Sequence, residues 1–376
     1  MVGLKQKQKS APDNIQKGLK IAKKSVFNYV TSRFVLPYNI LKCRLLRTYK
    51  PLVVLLYVND KCNLRCKYCV GNWSARKISD FSTDEVIKIV DECKELGTCH
   101  FTIHGGEILL REDVGYLVNY MKNKGLYVNL VTNGVLFPEK IHEIKNIDSL
   151  CISLDGPEES NDLTRGKGSF KAITKAIKLA KQEGFKFTVQ ATLTKYNKDD
   201  IGYLVKLAKE IGYYQQFSLL LKPLSPELEH IGLDDEETKG VLREIIKYKQ
   251  QGYPIFTSYR ALENALDWPL PYSKPTLNLE EVPANSNLIK CYYGKLKIAI
   301  DADGKVYPCS SLNTGFKALN VRDVGVKRTY EHILKTNRCE CCIFLTQNDW
   351  SLLLGLSGKQ FLEQARTQLR QLLNWY

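Results

Sequence analysis

Short β-rich runs alternate with helical patterns between residues 51 and 223, and this alternation constrains the fold more than any other feature of the chain. The patterns predict six strands, at residues 53–58, 100–104, 127–132, 149–154, 187–194 and 217–221. They also predict four intervening helices, at residues 83–96, 114–124, 170–182 and 201–211, the first of which follows a capping box of Ser82 and Glu85. Because parallel strands cannot be joined by tight turns, strand–helix units of this length predict a parallel α/β sheet with right-handed crossovers. Six strands are too few to close an eight-stranded barrel, which leaves an open, partial barrel or a doubly wound sheet.

A second region begins where the alternation stops, near Pro223. Residues 224–290 are punctuated by prolines and predict a connector with helices at 234–251 and 260–268. A hairpin is then predicted, with strands at 297–300 and 305–307 around an Asp-Gly turn, inside a small cysteine-bearing module at 291–344. The segment 345–376 predicts a C-terminal amphipathic helix, with an apolar stripe of Phe361, Ala365, Leu369, Leu372 and Leu373.

Positive charge is concentrated near the N-terminus. The formal net charge is +15, and residues 1–50 contain twelve Lys or Arg and a single acid, Asp13, which gives this arm +11. Apolar residues recur along it at spacings of three and four: Ile15, Leu19, Ala22, Val26, Val30 and Phe34. This pattern predicts a basic amphipathic helix, which suits an anionic membrane surface. A helix docked on the body with its lysines in solvent needs the same pattern, and nucleic acid is not an expected partner because nucleic-acid arms rarely carry so regular an apolar stripe.

No apolar run approaches eighteen residues, and lysines break the first apolar stretch, so neither a membrane-spanning segment nor a secretory signal is predicted. We expect a cytoplasmic protein that contacts the inner face of the membrane through its basic arm. Twelve cysteines in such a reducing compartment predict metal ligation rather than a disulfide framework.

Three cysteines follow the first predicted strand: Cys62, Cys66 and Cys69, within the sequence CNLRCKYC. Three thiolates on one loop are soft ligands that suit an iron-sulfur cluster or zinc. A structural zinc site requires four ligands, whereas three ligands at the carboxyl end of a strand leave one metal position open for another molecule. Zinc with a distant fourth ligand and three unrelated buried thiols are the alternatives.

This loop resembles the signature loop of the radical S-adenosylmethionine (SAM) enzymes. The resemblance implies a partial (β/α)6 TIM-like barrel and a [4Fe-4S] cluster held by the three cysteines, whose open iron binds the amino and carboxylate groups of SAM. It also implies that the aromatic residue before the third cysteine, Tyr68, lies next to the adenine of SAM.

Later segments agree with the same family in order and position. Gly105, Gly106 and Glu107 resemble the GGE motif that holds the SAM amino group, although Gly-Gly-Glu alone is usually a turn. Asn133, after the third strand, could bond polar groups of the ligand, although an isolated Asn-Gly is simply a turn. The resemblance adds further SAM contacts: Ser153 and Asp155 after the fourth strand for the ribose, Arg165 for the carboxylate, and Leu193 on the fifth strand for the adenine. Leu193 suits an ordinary core position equally well.

The chemistry that the resemblance implies begins with an electron from a donor such as ferredoxin or flavodoxin. Reductive cleavage of SAM then gives methionine and a 5′-deoxyadenosyl radical, which abstracts a hydrogen atom from a substrate carbon. The protein supplies geometry and the exclusion of water.

Four more cysteines lie around the predicted hairpin and after it: Cys291, Cys309, Cys339 and Cys342. Four thiolates can close a tetrahedral zinc site or a fully ligated iron-sulfur cluster. The arrangement resembles the Twitch module, a shortened relative of the SPASM domains of radical SAM enzymes, which implies an auxiliary [4Fe-4S] cluster. Cys341 competes with Cys342 as a ligand because both lie in one short segment. A closed cluster has no position for substrate, so its use would be to take an electron from a substrate radical or to tune that radical.

The sequence determines the reaction type better than the substrate. The basic arm and the amphipathic tail favour a lipid or isoprenoid-like small molecule met at a membrane surface. A peptide-modifying maturase is the second interpretation, although no peptide-recognition domain is evident. A non-catalytic iron-sulfur or zinc-binding protein is the third, and the three-cysteine loop together with the GGE segment argues against it. A cobalamin-dependent methyltransferase is not expected, because residues 1–50 are too few for an additional α/β domain.

Overall fold

The computed structural model describes residues 35–69, 76, 78–220, 229–311 and 315–358. The apolar stripes at 15–34 and 361–373 lie outside these residues, so both amphipathic segments stay predictions. Among the described residues, no helix is both long enough and apolar enough to cross a bilayer.

The central sheet contains the parallel set of six strands that the alternating pattern predicts. These strands are β1 (Val53–Tyr57), β2 (His100–His104), β3 (Tyr127–Thr132), β4 (Ser149–Ser153), β5 (Phe187–Leu193) and β6 (Tyr214–Leu219). Each strand pairs in parallel with the next one along the chain. Within the described part of the chain the sheet does not close on itself, which confirms the open, partial barrel and the α/β fold class.

The C-terminal part of the chain extends this sheet. Its strands are β7 (Thr276–Asn278), β8 (Lys297–Ile300), β9 (Lys305–Tyr307), β10 (Leu319–Asn320) and β11 (Cys339–Cys342). The predicted hairpin of β8 and β9 joins the sheet because β8 pairs in parallel with β1, a pairing that the sequence did not predict. Without β8, the apolar strand β1 would be an edge strand with unpaired N–H and C=O groups. β7 and β11 form a separate antiparallel pair.

Helices cover one side of the sheet and complete the C-terminal part. They are α1 (35–45), α2 (Thr83–Leu96), α3 (Val114–Asn123), α4 (Phe137–Lys140), α5 (Glu158–Arg165), α6 (Ser169–Gln182), α7 (Ile201–Ile211), α8 (Asp235–Gln250), α9 (Tyr259–Leu266), α10 (Val321–Thr336) and α11 (Leu345–Leu354). α2 begins at the predicted capping box of Ser82 and Glu85 and ends at Gly97, whose φ of +108° favours glycine. α10 was not predicted, and Gly325, with a φ of +73°, interrupts its helical geometry.

The parallel sheet has two chemically different faces. On the side of the helices, alternating residues such as Val128 and Leu130 are fully buried in one large apolar core. Because side chains alternate along a strand, the intervening residues point to the opposite side, which we call the inner face. Polar groups occur there: the Ser149 hydroxyl donates to the Asn129 side-chain oxygen over 2.6 Å. The inner face therefore provides polar groups that could orient a ligand.

Helix α1 is the described part of the predicted N-terminal arm. Its Ile40 and Cys43 are buried in a second apolar core at the start of β1, and the Arg44 guanidinium donates to the Tyr292 hydroxyl over 2.7 Å. Its other side, continued to residue 49, exposes five large apolar side chains that we call the α1 apolar surface: Tyr38, Leu41, Leu45, Leu46 and Tyr49. This helix therefore docks on the body and also presents apolar area to solvent.

Candidate active site and second cysteine site

The three-cysteine loop leaves the carboxyl end of β1, where a parallel sheet places its functional residues. Cys62, Cys66 and Cys69 are partly buried, and their thiols are close enough to influence one another's pKa values. Burial raises the pKa of Cys66 to about 11, and the guanidinium of Arg165 opposes that rise. The backbone N–H of Lys67 donates to the carbonyl of Thr164 over 2.8 Å, so the loop is tied to α5.

Two consecutive glycines at the end of β2 support this loop. A Cβ on Gly106 would lie 2.6 Å from the carbonyl oxygens of both Asp60 and Lys61, and a Cβ on Gly105 would overlap the Asn59 side chain. The N–H of Gly106 donates to the Asn59 carbonyl over 2.9 Å. The sequence suggests that these glycines let backbone approach a ligand, and the backbone that approaches them in the structure is the chain's own cysteine loop.

Replacing Gly106 with alanine should displace the cysteine loop. The new methyl group would meet two backbone oxygens that cannot rotate away, and overpacking of this kind costs about 1–3 kcal/mol. We expect lower stability in urea titration of the metal-free protein and less iron per chain after anaerobic reconstitution. Gly240→Ala is the matched control, since Gly240 lies exposed within α8 with open space around it. The control should be neutral or stabilising by up to about 1 kcal/mol; equal iron content in the two variants would contradict the prediction.

Glu107 is buried directly after the glycines. Its carboxylate accepts hydrogen bonds from the Thr132 hydroxyl at 2.7 Å, the Asn133 N–H at 2.7 Å and the Leu109 N–H at 3.0 Å. Burial raises the pKa of Glu107, and these three donors oppose the rise. A carboxylate has about four acceptor positions, so one remains for a further donor such as an ammonium group.

Asn133 links the end of β3 to the cysteine loop. Its side-chain amide donates to the Asn63 side-chain oxygen over 2.7 Å, and its own oxygen accepts from the Val135 N–H over 3.0 Å. The residue therefore helps to fix the position of the loop, a role that the sequence did not indicate.

Asp155 and Arg165 form a buried ion pair at the end of β4. The guanidinium donates through Nε over 2.7 Å and through Nη2 over 3.1 Å to the carboxylate. The Tyr68 hydroxyl donates to the same carboxylate over 2.7 Å, and the guanidinium carbon lies 5.6 Å from the centre of the Tyr68 ring. Three residues that the resemblance assigns to separate parts of SAM are therefore in mutual contact. Ser153, the last residue of β4, is partly exposed beside them.

Leu193 is fully buried in the apolar core between the sheet and the helices. Burial alternates along β5, so its side chain lies on the face opposite to that of Thr192. Its surroundings are those of the ordinary core position that the sequence left open.

The second cysteine site gathers four cysteines from three places in the chain. Cys291, Cys309, Cys339 and Cys342 line one small cavity, part of it open to solvent, together with Tyr293 and other residues. The Gln347 amide lies 4.0 Å from the Cys309 sulfur and donates to the Ser311 hydroxyl over 2.9 Å. Four thiols around one cavity are a suitable donor set for a fully ligated iron-sulfur cluster.

A β-bulge in β11 determines which of its cysteine side chains face this cavity. Cys339 pairs with Asn278 and Cys341 with Leu277, so Glu340 is an extra residue between adjacent pairs. In a regular strand Cys339 and Cys341 would share a face. The bulge instead directs Cys339 and Cys342 to the cavity, while Cys341 is buried in the apolar core.

Tyr57 lies between the two cysteine groups with His104 beside it, and the sequence singled out neither for function. The phenol of Tyr57 is close enough to Cys69 and to Cys309 for both thiols to act on its pKa, which burial raises. The His104 ring is 5.1 Å from the Tyr57 ring, and burial lowers the pKa of His104 to about 3, so the imidazole is neutral. Their position at the ends of β1 and β2 is the signal that could have identified them.

Arg76 joins the two regions near the surface. Its guanidinium donates to Asp60, before the three-cysteine loop, over 2.8 Å and to Asp301, in the hairpin turn, over 2.8 Å. Among the described residues, no three His, Cys, Asp or Glu side chains converge as a single metal ion would require.

The segment 56–208 matches the family model described as the Radical SAM superfamily. Such a domain implies a [4Fe-4S] cluster, SAM, a reductant and a substrate. The residues at the end of β1 fit the cluster, since they include three neighbouring thiols on one loop.

Two curated relatives are enzymes by name. The AdoMet-dependent heme synthase of Methanosarcina barkeri is 31% identical over 50% of this chain and 57% of its own length. The mycofactocin maturase MftC of Mycolicibacterium smegmatis is 27% identical over 75% of this chain and 70% of its own length. The chain thus spans little more than half of the heme synthase.

Solved structures share the fold. The crystal structure of SuiB from Streptococcus suis superimposes with a TM-score of 0.59 at 18% identity, covering 85% of this chain and 72% of that one. AdoMet-bound anSMEcpe with a peptide gives 0.58 at 19% identity, covering 86% and 99%.

Proposed function

Because residues 56–208 form a domain of the radical SAM superfamily, whose members are enzymes, we propose that this chain cleaves SAM reductively and abstracts a hydrogen atom from a substrate carbon. When bound, the [4Fe-4S] cluster and SAM supply that radical chemistry. Cys62, Cys66 and Cys69 would hold the cluster, and the remaining acceptor position of Glu107 would receive the SAM ammonium. Tyr68 and Arg165 would enclose the rest of SAM.

The observation that carries this proposal is the match of residues 56–208 to the radical SAM family model, with three neighbouring thiols on the loop after β1. Tyr57, with His104 beside it, marks the space between the two cysteine groups. A substrate held on the inner face beside this pair would lie between the SAM site and the second cysteine site. Neighbouring strands and α11 would exclude water from it, which suits a reaction with a radical intermediate.

The proposal includes an auxiliary [4Fe-4S] cluster at Cys291, Cys309, Cys339 and Cys342. All of its irons would be ligated by protein, so it would not bind substrate. Its use would be to accept one electron from the substrate radical, which favours a net oxidation or a bond formation coupled to oxidation.

The assay for this function uses the full chain after anaerobic reconstitution, with SAM and dithionite. We expect 5′-deoxyadenosine and methionine to form. A sample with full iron content that forms no 5′-deoxyadenosine would favour the non-catalytic iron-sulfur or zinc-binding alternative.

For the substrate we propose a lipid or isoprenoid-like molecule met at an anionic membrane surface. The α1 apolar surface supports this, because its exposed leucines and tyrosines alternate with exposed Lys42, Arg44, Arg47 and Lys50. Apolar side chains flanked by cations suit the boundary between lipid headgroups and acyl chains.

Replacing Leu41, Leu45 and Leu46 together with glutamine should weaken vesicle binding. Burying one leucine contributes about 1.5–3 kcal/mol, and about 1.4 kcal/mol corresponds to tenfold, so we expect a loss of about tenfold or more. The measurement is sedimentation with phosphatidylglycerol vesicles. These leucines are exposed, so the fold should be unaffected, whereas deleting residues 1–50 would remove Ile40 from the core.

The matched control replaces three exposed leucines elsewhere, Leu279, Leu319 and Leu334, with glutamine. It should bind vesicles as the unchanged chain does. Equal binding by both triple variants, or no binding by the unchanged chain, would remove the support for a membrane-bound substrate.

A peptide substrate is the second candidate. The relative MftC, named as a maturase, matches 75% of this chain, which is a larger share than the heme synthase matches. Lipid and metabolite profiling of a deletion strain distinguishes the two candidates, because only the small-molecule candidate predicts a changed lipid or isoprenoid profile.

A further inference from the structure

Lys297 is a buried cation beside the second cysteine site. It is the first residue of β8, is 5% exposed, and pairs with Val53 of β1. In the hairpin Ala299 pairs with Tyr307, where β9 ends, and the chain continues from there to Cys309. Cys309 is close enough to Lys297 for its charge to act on the Lys297 pKa. Lys297 therefore lies where the inner face meets the cavity of the four cysteines.

Aromatic rings hold the ammonium group in place. Its nitrogen lies 4.1 Å from the centre of the Trp350 ring and 5.0 Å from that of Tyr293, which itself lines the cysteine cavity. Within the described part of the chain, the ammonium makes no hydrogen bond or ion pair, although burying a cation is unfavourable unless a negative charge compensates it.

Among the described residues, no carboxylate compensates the positive charge of the Lys297 ammonium. Burial lowers the pKa of Lys297 to about 7, and the one group that raises it is Cys309. The nearby imidazoles of His100 and His104 both have pKa values lowered to about 3 by burial, so they are neutral. The negative charge that fits this cation is therefore that of thiolates at the second site.

We propose that Lys297 is the counter-charge of the cluster bound by Cys291, Cys309, Cys339 and Cys342, and that it raises the reduction potential of that cluster. This inference rests on the proposed function. Reduction by one electron, taken from the substrate radical, adds negative charge to a cluster that its thiolates already make negative. A protonated Lys297 next to Cys309 stabilises the reduced form more than the oxidised form.

The test is a potentiometric titration followed by electron paramagnetic resonance (EPR). The parent is the full chain with Cys62→Ser, Cys66→Ser and Cys69→Ser, so that only the second site gives a signal. We expect Lys297→Met to shift the midpoint potential to more negative values and Lys297→Arg, which keeps the charge, to stay close to the parent. Lys290→Met is the control, because Lys290 is 57% exposed and already paired with Glu340 at 2.9 Å; its midpoint should not move.

An unchanged midpoint in Lys297→Met would overturn the inference, as would an equal shift in Lys297→Arg, which would indicate packing rather than charge. If Lys297→Met fails to fold, Lys297→Gln is titrated in its place. If Lys297→Met and Lys297→Gln lose the cluster and Lys297→Arg keeps it, the inference is supported. If all three variants lose the cluster, the inference is contradicted. A parent without iron or EPR signal would refute the auxiliary cluster itself, which separates that failure from failure of the inference.

Discussion

Replacing Cys66 with alanine will abolish formation of 5′-deoxyadenosine from SAM. In the proposed function the three thiolates of the loop hold the [4Fe-4S] cluster, and the radical chemistry resides in the cofactor, so no slower route is expected to remain. Cys66 is partly exposed and the loop hydrogen bond from the Cys69 N–H uses its backbone carbonyl, so the fold should change by less than about 0.5 kcal/mol. Product analysis and iron content measure the outcome, and we expect roughly half of the iron to remain, at the second site.

Cys43→Ala is the matched control for this prediction. Cys43 lies on the buried side of α1, in an apolar core that does not include the three-cysteine loop. The control should lose some stability through the small cavity it leaves and should cleave SAM as the unchanged chain does. Continued cleavage by the Cys66 variant would show that the loop does not hold the catalytic cluster.

Replacing Cys342 with alanine will remove the auxiliary cluster and the final product while leaving part of the SAM cleavage. The Cys342 side chain faces the cavity of the second site, and a cluster with three of its four thiolates is no longer closed to solvent. Cys309→Ala should behave in the same way. Iron content, 5′-deoxyadenosine and product formation, measured in parallel, separate the two sites.

Cys341→Ala is the matched control for Cys342→Ala, because it removes the thiol of the adjacent residue. Its side chain is buried in the apolar core, so the change should cost about 1 kcal/mol and leave both clusters intact. A destabilised but active Cys341 variant would exclude loss of stability as the cause of the Cys342 phenotype. Loss of the second cluster in Cys341→Ala would mean that the bulge at Glu340 does not select the ligands.

Local signals predicted the strands and several helices of this fold. The apolar run of β1, the capping box of Ser82 and Glu85, and the Asp-Gly turn of the hairpin each act within a few residues, so a sequence contains them in full. The partial barrel followed from the order of these elements and from the family resemblance, and the sheet confirms it.

Local sequence signals could not predict the contacts between segments that are distant in the chain. The sequence predicted the hairpin but not its pairing with β1, because the choice of a partner strand depends on the whole fold. For the same reason the sequence could not show that Gly106 packs against the carbonyl groups of Asp60 and Lys61. It also could not show that the residue inserted in β11 turns Cys342, rather than Cys341, toward the cavity. A lysine at position 297 also gives no local indication that it is buried.

The pairing of β8 with β1 limits how this chain can be shortened. A fragment ending near residue 223 would keep the three-cysteine loop and the six parallel strands, yet it would expose the full edge of an apolar strand. Such edges recruit other chains, so the fragment should accumulate as insoluble aggregate. Any shortened version that keeps the six parallel strands must therefore retain residues 297–300 or supply a substitute strand.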